Sequence, residues 1–509
     1  MKHIPYCHIL TAACIGFINL LMIVPTQGQT TAAASAAQEE HALQKAQRAD
    51  SPPQREKRGR KGDILPMPTV IWEEASLIVA RPTATTADIH ILPRQNGSGT
   101  LCYAPEGVST AVTRLACPAF IAQKPTLIPL KGLMPNTRYT YWLEWSKDRR
   151  SPDHAFQTQR APGTPFQFIV QGDSHPERGQ QHTPALYEQS LKRVAREKPD
   201  FFIALGDDFS VDTLRDFTPA AVETRYRLQR EYLGFVGAQA SLFLVNGNHE
   251  QAARCNLDGT SNNIAVWAQN ARETYFAQPA PNAFYTGDAE AVEHIGLLRD
   301  YYAWTWGDAL FVVIDPYWHS KQAVDNKLGT REKNNDEWNS TLGDAQYHWL
   351  KTTLASSKTP FKFVFTHHVL GRGRGGIECS ARGEWGGGDP QGRASFAQMR
   401  PGWEMPIHQL LATNHVTILF QGHDHLFCKQ ERDGVIYQTC PLPAGPSDCR
   451  ENFEAYRSGT SIPGSGFVRV TVQSNTVHVA YVKNILTKDT TPGHDGEIAF
   501  QYTIPKQKE

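Results

Sequence analysis

The chain has 509 residues, with 51 Lys plus Arg against 51 Asp plus Glu and 40% apolar side chains. That length exceeds what one ordinary core fills, so two folded domains with unstructured ends are expected. The even charge balance excludes a global field drawing the chain to nucleic acid or anionic membranes, and specificity must come from a local site.

Met1-Lys2-His3 precedes an apolar run over about 9–24, interrupted by Asn19, and Pro25-Thr26-Gln27-Gly28 follows with small residues suited to cleavage. This is a signal-peptide pattern over 1–28. A membrane span needs about 20 apolar residues, and this run is shorter and broken by a polar one. The expected location is secreted or periplasmic, without a stable membrane anchor. Residues 29–62 are rich in Ala, Gln and Thr and then in Pro and basic residues. They read as a disordered linker, because they offer too little apolar surface to bury.

Export favours disulfides over thiolate metal sites. Of nine cysteines, Cys7 and Cys14 would leave with the signal, and the other seven include no Cys-x-x-Cys pair. Cys102 with Cys117 is the expected disulfide, worth about 3 kcal/mol for a loop of that size.

From 63 to 162, short runs of Val, Ile, Thr, Tyr and Leu alternate with Gly, Pro and Asn turns, which predicts an all-β domain. The run Leu130-Lys131-Gly132-Leu133-Met134-Pro135-Asn136-Thr137-Arg138-Tyr139 resembles the turn and strand of fibronectin type III sandwiches, where a Tyr packs at the corner.

From 163 to 485 the texture changes. Strands are predicted at 166–170, 201–205, 242–245, 309–314, 361–365 and 416–420, with a helix carrying Tyr187, Leu191 and Val194 between the first two and another near 345–354. Strands at 467–472 and 477–482 read as a closing hairpin, and 486–509 as a C-terminal tail. The alternation predicts a layered α/β domain.

Metal-competent residues follow five of these strands, where open α/β folds place their sites. They are Gly172-Asp173-Ser174-His175, Gly206-Asp207-Asp208, Gly247-Asn248-His249-Glu250, His367-His368 and Gly422-His423-Asp424-His425. Each alone is explained by a turn or a structural His, but five in succession are not. Asp, His and Asn donors suit borderline cations such as Zn, Mn and Fe. A pair of such ions neutralises an anionic ester and activates water.

These motifs closely resemble those of the calcineurin-like metallophosphoesterase superfamily: Asp-x-His, Gly-Asp, Gly-Asn-His-Asp/Glu, His and Gly-His-x-His. The resemblance implies a four-layer αββα domain holding two divalent or trivalent ions (Fe, Mn or Zn). It implies Asp173, His175 and His425 as ligands of the first ion, Asp207 as the bridge, and Asn248, His367 and His423 as ligands of the second. By the same resemblance His249 lies just outside the metal shell, oriented by an acid, and helps stabilise the transition state or protonate the leaving group; Asp207 and Asn248 count with it as catalytic residues. His367 rather than His368 is chosen because family patterns place the ligand first in His-x-Pro, although Val369 replaces the Pro here. A preceding β-sandwich and the Glu of Gly-Asn-His-Glu also resemble purple acid phosphatases. Ser210 stands where those enzymes have the iron-binding Tyr, so no purple iron site is expected.

His368 and the loop residues Arg372 and Arg374 are candidate substrate contacts, since Arg can clamp a phosphate bidentately. The reaction implied is hydrolysis of a small phosphate ester by a hydroxide bridging the ions, with no obligate protein partner. The sandwich tilts the reading to phosphomonoesterase. Phosphodiesterase activity of nucleotide or glycerophosphodiester type is the alternative, and a non-catalytic surface binding protein a remote one.

Overall fold

The computed structural model describes residues 67–69 and 74–507, apart from 109, 147, 180, 326, 330–335, 371–372, 447 and 487–492. The signal-peptide and linker segments, and Arg372, lie outside the described residues. No helix among the described residues is long and apolar enough to cross a membrane.

Among the described residues, eight strands build the first domain. β1 (Ala75–Ala80), β2 (Thr86–Pro93) and β5 (Thr126–Lys131) form one antiparallel sheet in the order β1-β2-β5. The other runs from β4 (Thr113–Ala116) through β3 (Thr100–Pro105) to β6 (Arg138–Ser146). Both β7 (Arg149–Arg150) and β8 (His154–Gln157) pair with β6. Leu77, Ile89, Leu101, Tyr141 and Phe156 fill the space between. The Tyr139 hydroxyl accepts the Met134 N–H at 2.8 Å, which pins the turn entering β6. This β-rich region is consistent with a fibronectin-like domain.

The expected Cys102–Cys117 disulfide is absent, and all seven described cysteines are free thiols. The register explains why. Cys102 lies opposite Arg114, while Cys117 donates its N–H to Gly99. Three residues of strand offset separate the two thiols by about 10 Å, beyond the roughly 7 Å Cα limit for a bridge.

Two sheets face each other in the second domain. The first contains β9 (Phe166–Gln171), β10 (Phe201–Ala204), β11 (Ser241–Leu244), β22 (Gly466–Gln473), β23 (Thr476–Lys483) and β24 (Ile498–Pro505), in the order β11-β10-β9-β22-β23-β24. The second contains β12 (Thr286–Gly287), β15 (Tyr302–Trp306), β16 (Ala309–Val313), β17 (Phe361–Phe365), β18 (Ile418–Gln421), β19 (Phe427–Arg432), β20 (Val435–Thr439) and β21 (Thr460–Ile462), in the order β12-β15-β16-β17-β18-β20-β19-β21. A small hairpin, β13 (Ala291–Val292) with β14 (Gly296–Leu297), leads into β15. Phe168, Phe311, Phe363, Phe365 and Phe420 interlock between the sheets.

Helices Pro184–Arg196, Pro219–Gly237 and Ile264–Tyr275 cover the outer face of the first sheet. Gly343–Ser356 and Ile407–Thr413 cover the second. The layers are therefore αββα. One correction concerns the chain end: the segment read as a tail contains β24, which pairs antiparallel with β23 and completes the sheet. Its apolar residues alternate, so only one face is partly covered and the segment looks polar on average.

The sandwich is fastened to the second domain by Arg230, fully buried on the helix Pro219–Gly237. Arg94 adds a two-pronged ion pair with Glu231, and the Tyr141 hydroxyl donates to the Ala238 carbonyl at 3.0 Å.

Candidate metal centre

β9, β10 and β11 run parallel in one sheet and β17 and β18 in the other. Their carboxyl ends therefore open onto the same edge of the domain. Asp173 and His175 follow β9, Asp207 follows β10, Asn248 and His249 follow β11, His367 follows β17, and His423 and His425 follow β18. The strand ends are separated in sequence and joined in space.

Two half-sites share Asp207. In one, His367 Nε2 lies 3.1 Å from Asp207 Oδ2, 3.0 Å from Asn248 Oδ1 and 3.2 Å from His423 Nδ1. In the other, Asp173 Oδ2 lies 3.0 Å from His425 Nε2 and 3.8 Å from His175 Nε2, which is itself 3.8 Å from Asp207 Oδ2. All these side chains are buried.

Outer contacts fix which atom of each ring faces inward. His367 Nδ1 is held by the Leu205 carbonyl at 2.8 Å, and His425 Nδ1 by Glu451 at 3.0 Å. His175 Nδ1 sits 3.3 Å from the Ser210 hydroxyl, so the residue at the tyrosine position of the purple enzymes orients a histidine. Glu250 accepts the N–H groups of Asp208 and Gly247, locking the turns after β10 and β11 together. Asp173 Oδ1 accepts the His423 N–H at 2.7 Å, and Asp207 Oδ1 accepts that of His249 at 2.8 Å.

This crossing of loops leaves no room for side chains at the motif glycines. A Cβ on Gly422 would lie 2.5 Å from Asp173 Oδ1. Gly422→Ala is expected to displace Asp173 and cut bound metal and turnover together by about 10- to 100-fold, the range for disturbing a metal site's support; elemental analysis beside steady-state kinetics checks it. Four residues of the site, His175, Asp207, His423 and His425, adopt left-handed backbone with φ between 39° and 64°. Each costs on the order of 1–3 kcal/mol, strain that concentrates at functional sites.

The model of the calcineurin-like phosphoesterase family matches residues 166–427, just over half of the chain. The chain belongs to that family. Among solved structures, one described as the structure of PhoD aligns over 85% of this chain and 90% of its own, with a TM-score of 0.60 at 14% identity, so the two share a fold. Another, described as GAP50, the anchor in the inner membrane complex of Plasmodium, covers 68% of this chain and 90% of its own at 15% identity, but its TM-score of 0.36 carries no weight. No curated protein sequence matches. Family membership makes this chain a metal-dependent phosphoric ester hydrolase.

The phosphoesterase's buried donors fit cations. His175 Nε2 is buried without a hydrogen-bond partner, an arrangement costing about 1–3 kcal/mol unless something else binds it, and Asp173 Oδ2 has only the ion pair with His425. Four clusters here, Asp173-His175-His425, Asp173-Asp207-His367, His175-Asp207-His249 and His367-His368-His423, have donor atoms close enough together to hold a metal ion.

The protein's own charges and burial move the four histidines away from the ordinary imidazole value. Burial opposes charge on His367, but the Asp207 and Asp173 carboxylates outweigh it and push the imidazole up to about 10. Burial likewise opposes charge on His425, and Asp173 with Glu451 raises it to about 9. Burial, then the neighbouring Arg178 and Arg374 respectively, hold His175 and His423 well below the usual range. A metal ligand must be neutral imidazole. His367 and His425 carry protons at neutral pH that ligation displaces, so affinity rises with pH up to about 9–10 and falls on acidification. Loading the stripped protein at pH 7.5 in weak buffer is expected to release about two protons per chain, measured by pH-stat.

Outside the metal donors, His249 Nδ1 lies 2.8 Å from Asp212, and its Nε2 lies 3.8 Å from Asp207. Sequence reading expected an orienting acid without identifying it. Asp212 belongs to the same loop as Asp207, five residues on, a weak signal; Glu451 follows no motif. His368 Nδ1 is within 3.0 Å of the Tyr317 hydroxyl, and burial followed by the adjacent His367 lowers it to about 3. Arg374 is drawn inward, bonding the His423 carbonyl and Asp424, so it braces the His-x-His turn. The large cavity of about 480 Å³ beside Trp304, Asp308 and Lys358 lies at the opposite ends of β16 and β17 from the site.

Proposed function

We propose that the chain is an exported phosphoesterase with a dinuclear centre, acting on small phosphate esters with a tilt to monoesters. Asp173, His175, His425 and Asp207 would hold one ion, and Asp207, Asn248, His367 and His423 the other. The observation carrying this reading is that Asp207 faces both clusters, within 3.8 Å of His175 and 3.1 Å of His367. A cation pair bound there neutralises the phosphate oxygens and lowers the pKa of water. Export rests on the signal-peptide pattern of the first 28 residues.

His249 has the geometry of a general acid. Asp212 lies 2.8 Å from Nδ1 and orients the ring, leaving Nε2 as the nitrogen facing the site. From there it delivers a proton to the departing alcohol oxygen. Asn248 turns its Oδ1 toward the second cluster while its Nδ2 reaches Asp325 at 3.4 Å, which fixes the amide's orientation. Asp212→Asn is expected to lower turnover about 10- to 100-fold on esters with poor leaving groups and far less on nitrophenyl esters, which need no proton. An equal loss on both would assign Asp212 a purely structural role.

The deciding experiment is elemental analysis of the purified mature protein, paired with hydrolysis of aryl phosphate mono- and diesters before and after chelation. About two ions per chain and chelator-sensitive turnover favouring the monoester support the reading. Faster diester cleavage reverses the substrate preference. Metal-free protein that gains no turnover from Mn, Zn or Fe overturns the dinuclear centre.

A further inference from the structure

A second group of metal-competent side chains lies outside the centre. Asp288 follows β12, Asp300 precedes β15, and His319 lies in the loop after β16. One donor atom from each falls within 4.8 Å of the other two. His319 Nε2 is 3.0 Å from Asp300 Oδ2, while Asp288 Oδ1 accepts the Glu290 N–H at 2.8 Å. The other oxygens, Asp288 Oδ2 and Asp300 Oδ1, are buried with no donor in hydrogen-bond geometry, the two carboxyl groups lying within reach of each other. Asp288 is 2% exposed and Asp300 0%.

Two carboxylates buried side by side repel each other and need a positive charge or a shared proton. Among the described residues no Lys or Arg forms an ion pair with either. Burial and mutual repulsion push Asp288 up to about 7, and burial pushes Asp300 up to about 6.

We propose that Asp288, Asp300 and His319 form a further cation site, separate from the dinuclear centre, for a borderline divalent ion such as Zn²⁺ or Mn²⁺. Two carboxylate oxygens and one imidazole nitrogen suit that class. They fit Ca²⁺ poorly, which takes six to eight oxygens. An ion there neutralises the carboxylate pair and engages the orphaned oxygens. It also clips the hairpin β13–β14 to the loop after β16. That loop carries Tyr317, whose hydroxyl meets His368 beside the dinuclear centre, so the role is structural support.

The test is metal counting on the full chain, stripped with chelator, reloaded with Zn²⁺ or Mn²⁺ alone and desalted. Wild type is expected to retain about three ions per chain, Asp300→Asn and His319→Gln about two, and the double variant Asp207→Asn/His423→Asn about one. Zn²⁺ should raise the melting temperature of that double variant, and this shift should vanish when Asp300→Asn is added. Equal counts in wild type and both single variants would overturn the site and leave the carboxylates sharing a proton. If wild type binds one ion and Asp300→Asn none, the site stands and the dinuclear reading fails. Should Asp300→Asn not fold, His319→Gln with the melting shift decides.

Discussion

Asp207→Asn is expected to lower kcat/KM about a thousandfold and to reduce the number of bound ions. The substitution is nearly isosteric, so the Asn amide oxygen can still accept the His249 N–H, and the backbone carbonyl of residue 207 can still accept those of Ser174 and His175. What disappears is the negative charge facing His367, His175 and His249. A bridging carboxylate supports the charge stabilisation of both ions, a contribution of several kcal/mol. About 4 kcal/mol corresponds to roughly three decades of rate. Steady-state kinetics on an aryl phosphate beside elemental analysis reads both effects. Unchanged turnover at full metal content would remove Asp207 from the centre.

Arg230→Met is expected to destabilise the protein by several kcal/mol, since each buried acceptor left unsatisfied costs about 1–3 kcal/mol. Arg230 spends its guanidinium on neutral acceptors in three segments. It donates to the Ser76 hydroxyl at 3.2 Å and carbonyl at 3.0 Å, to the His90 carbonyl at 2.7 Å and Nδ1 at 2.8 Å, and to the Tyr275 carbonyl at 2.9 Å. His90 can accept because burial, then Arg230 itself, keeps its imidazole neutral. Burial lowers Arg230 to about 9, so at neutral pH the guanidinium remains charged and its acceptors share that charge. Methionine fills similar volume but strands every acceptor at the interface. The loss is read from urea denaturation followed by tryptophan fluorescence, with bound metal monitored in parallel. A midpoint unchanged within about 0.5 kcal/mol, the scale of ordinary surface substitutions, would mean that water replaces the arginine.

The catalytic layers were legible because their strands are continuous apolar runs ending in motif residues: β9, β10, β11, β17 and β18 each begin within two residues of their predicted starts. The candidate donors could be gathered from those strand ends, since the backbone delivers whatever follows a parallel strand to the same edge. Side-chain traffic around them was not legible. Arg374 looked like a free clamp in a glycine-rich loop, yet Asp424, distant in sequence, draws it inward. The helix Pro219–Gly237 escaped notice because Arg225, Gln229 and Arg230 occupy buried positions and blur its apolar stripe. β24 escaped because an edge strand needs only a weak alternation to pair. The left-handed backbone of His175, Asp207, His423 and His425 has no sequence signature, since only glycine advertises positive φ.

The placing of β22 has a consequence for the order in which the enzyme is made. β9, which presents Asp173, lies between β10 and β22, and Val170 pairs with Val468 across about 300 residues of chain, a non-local contact of the kind that slows folding. At about 5–20 residues per second of synthesis, that gap takes roughly 15–60 s. Throughout it β9 has one open edge, and for most of it His423 and His425 have yet to emerge. The full set of candidate donors is complete only once His425 has emerged, about 250 residues behind Asp173, and β9 gains its second neighbour later still, with β22.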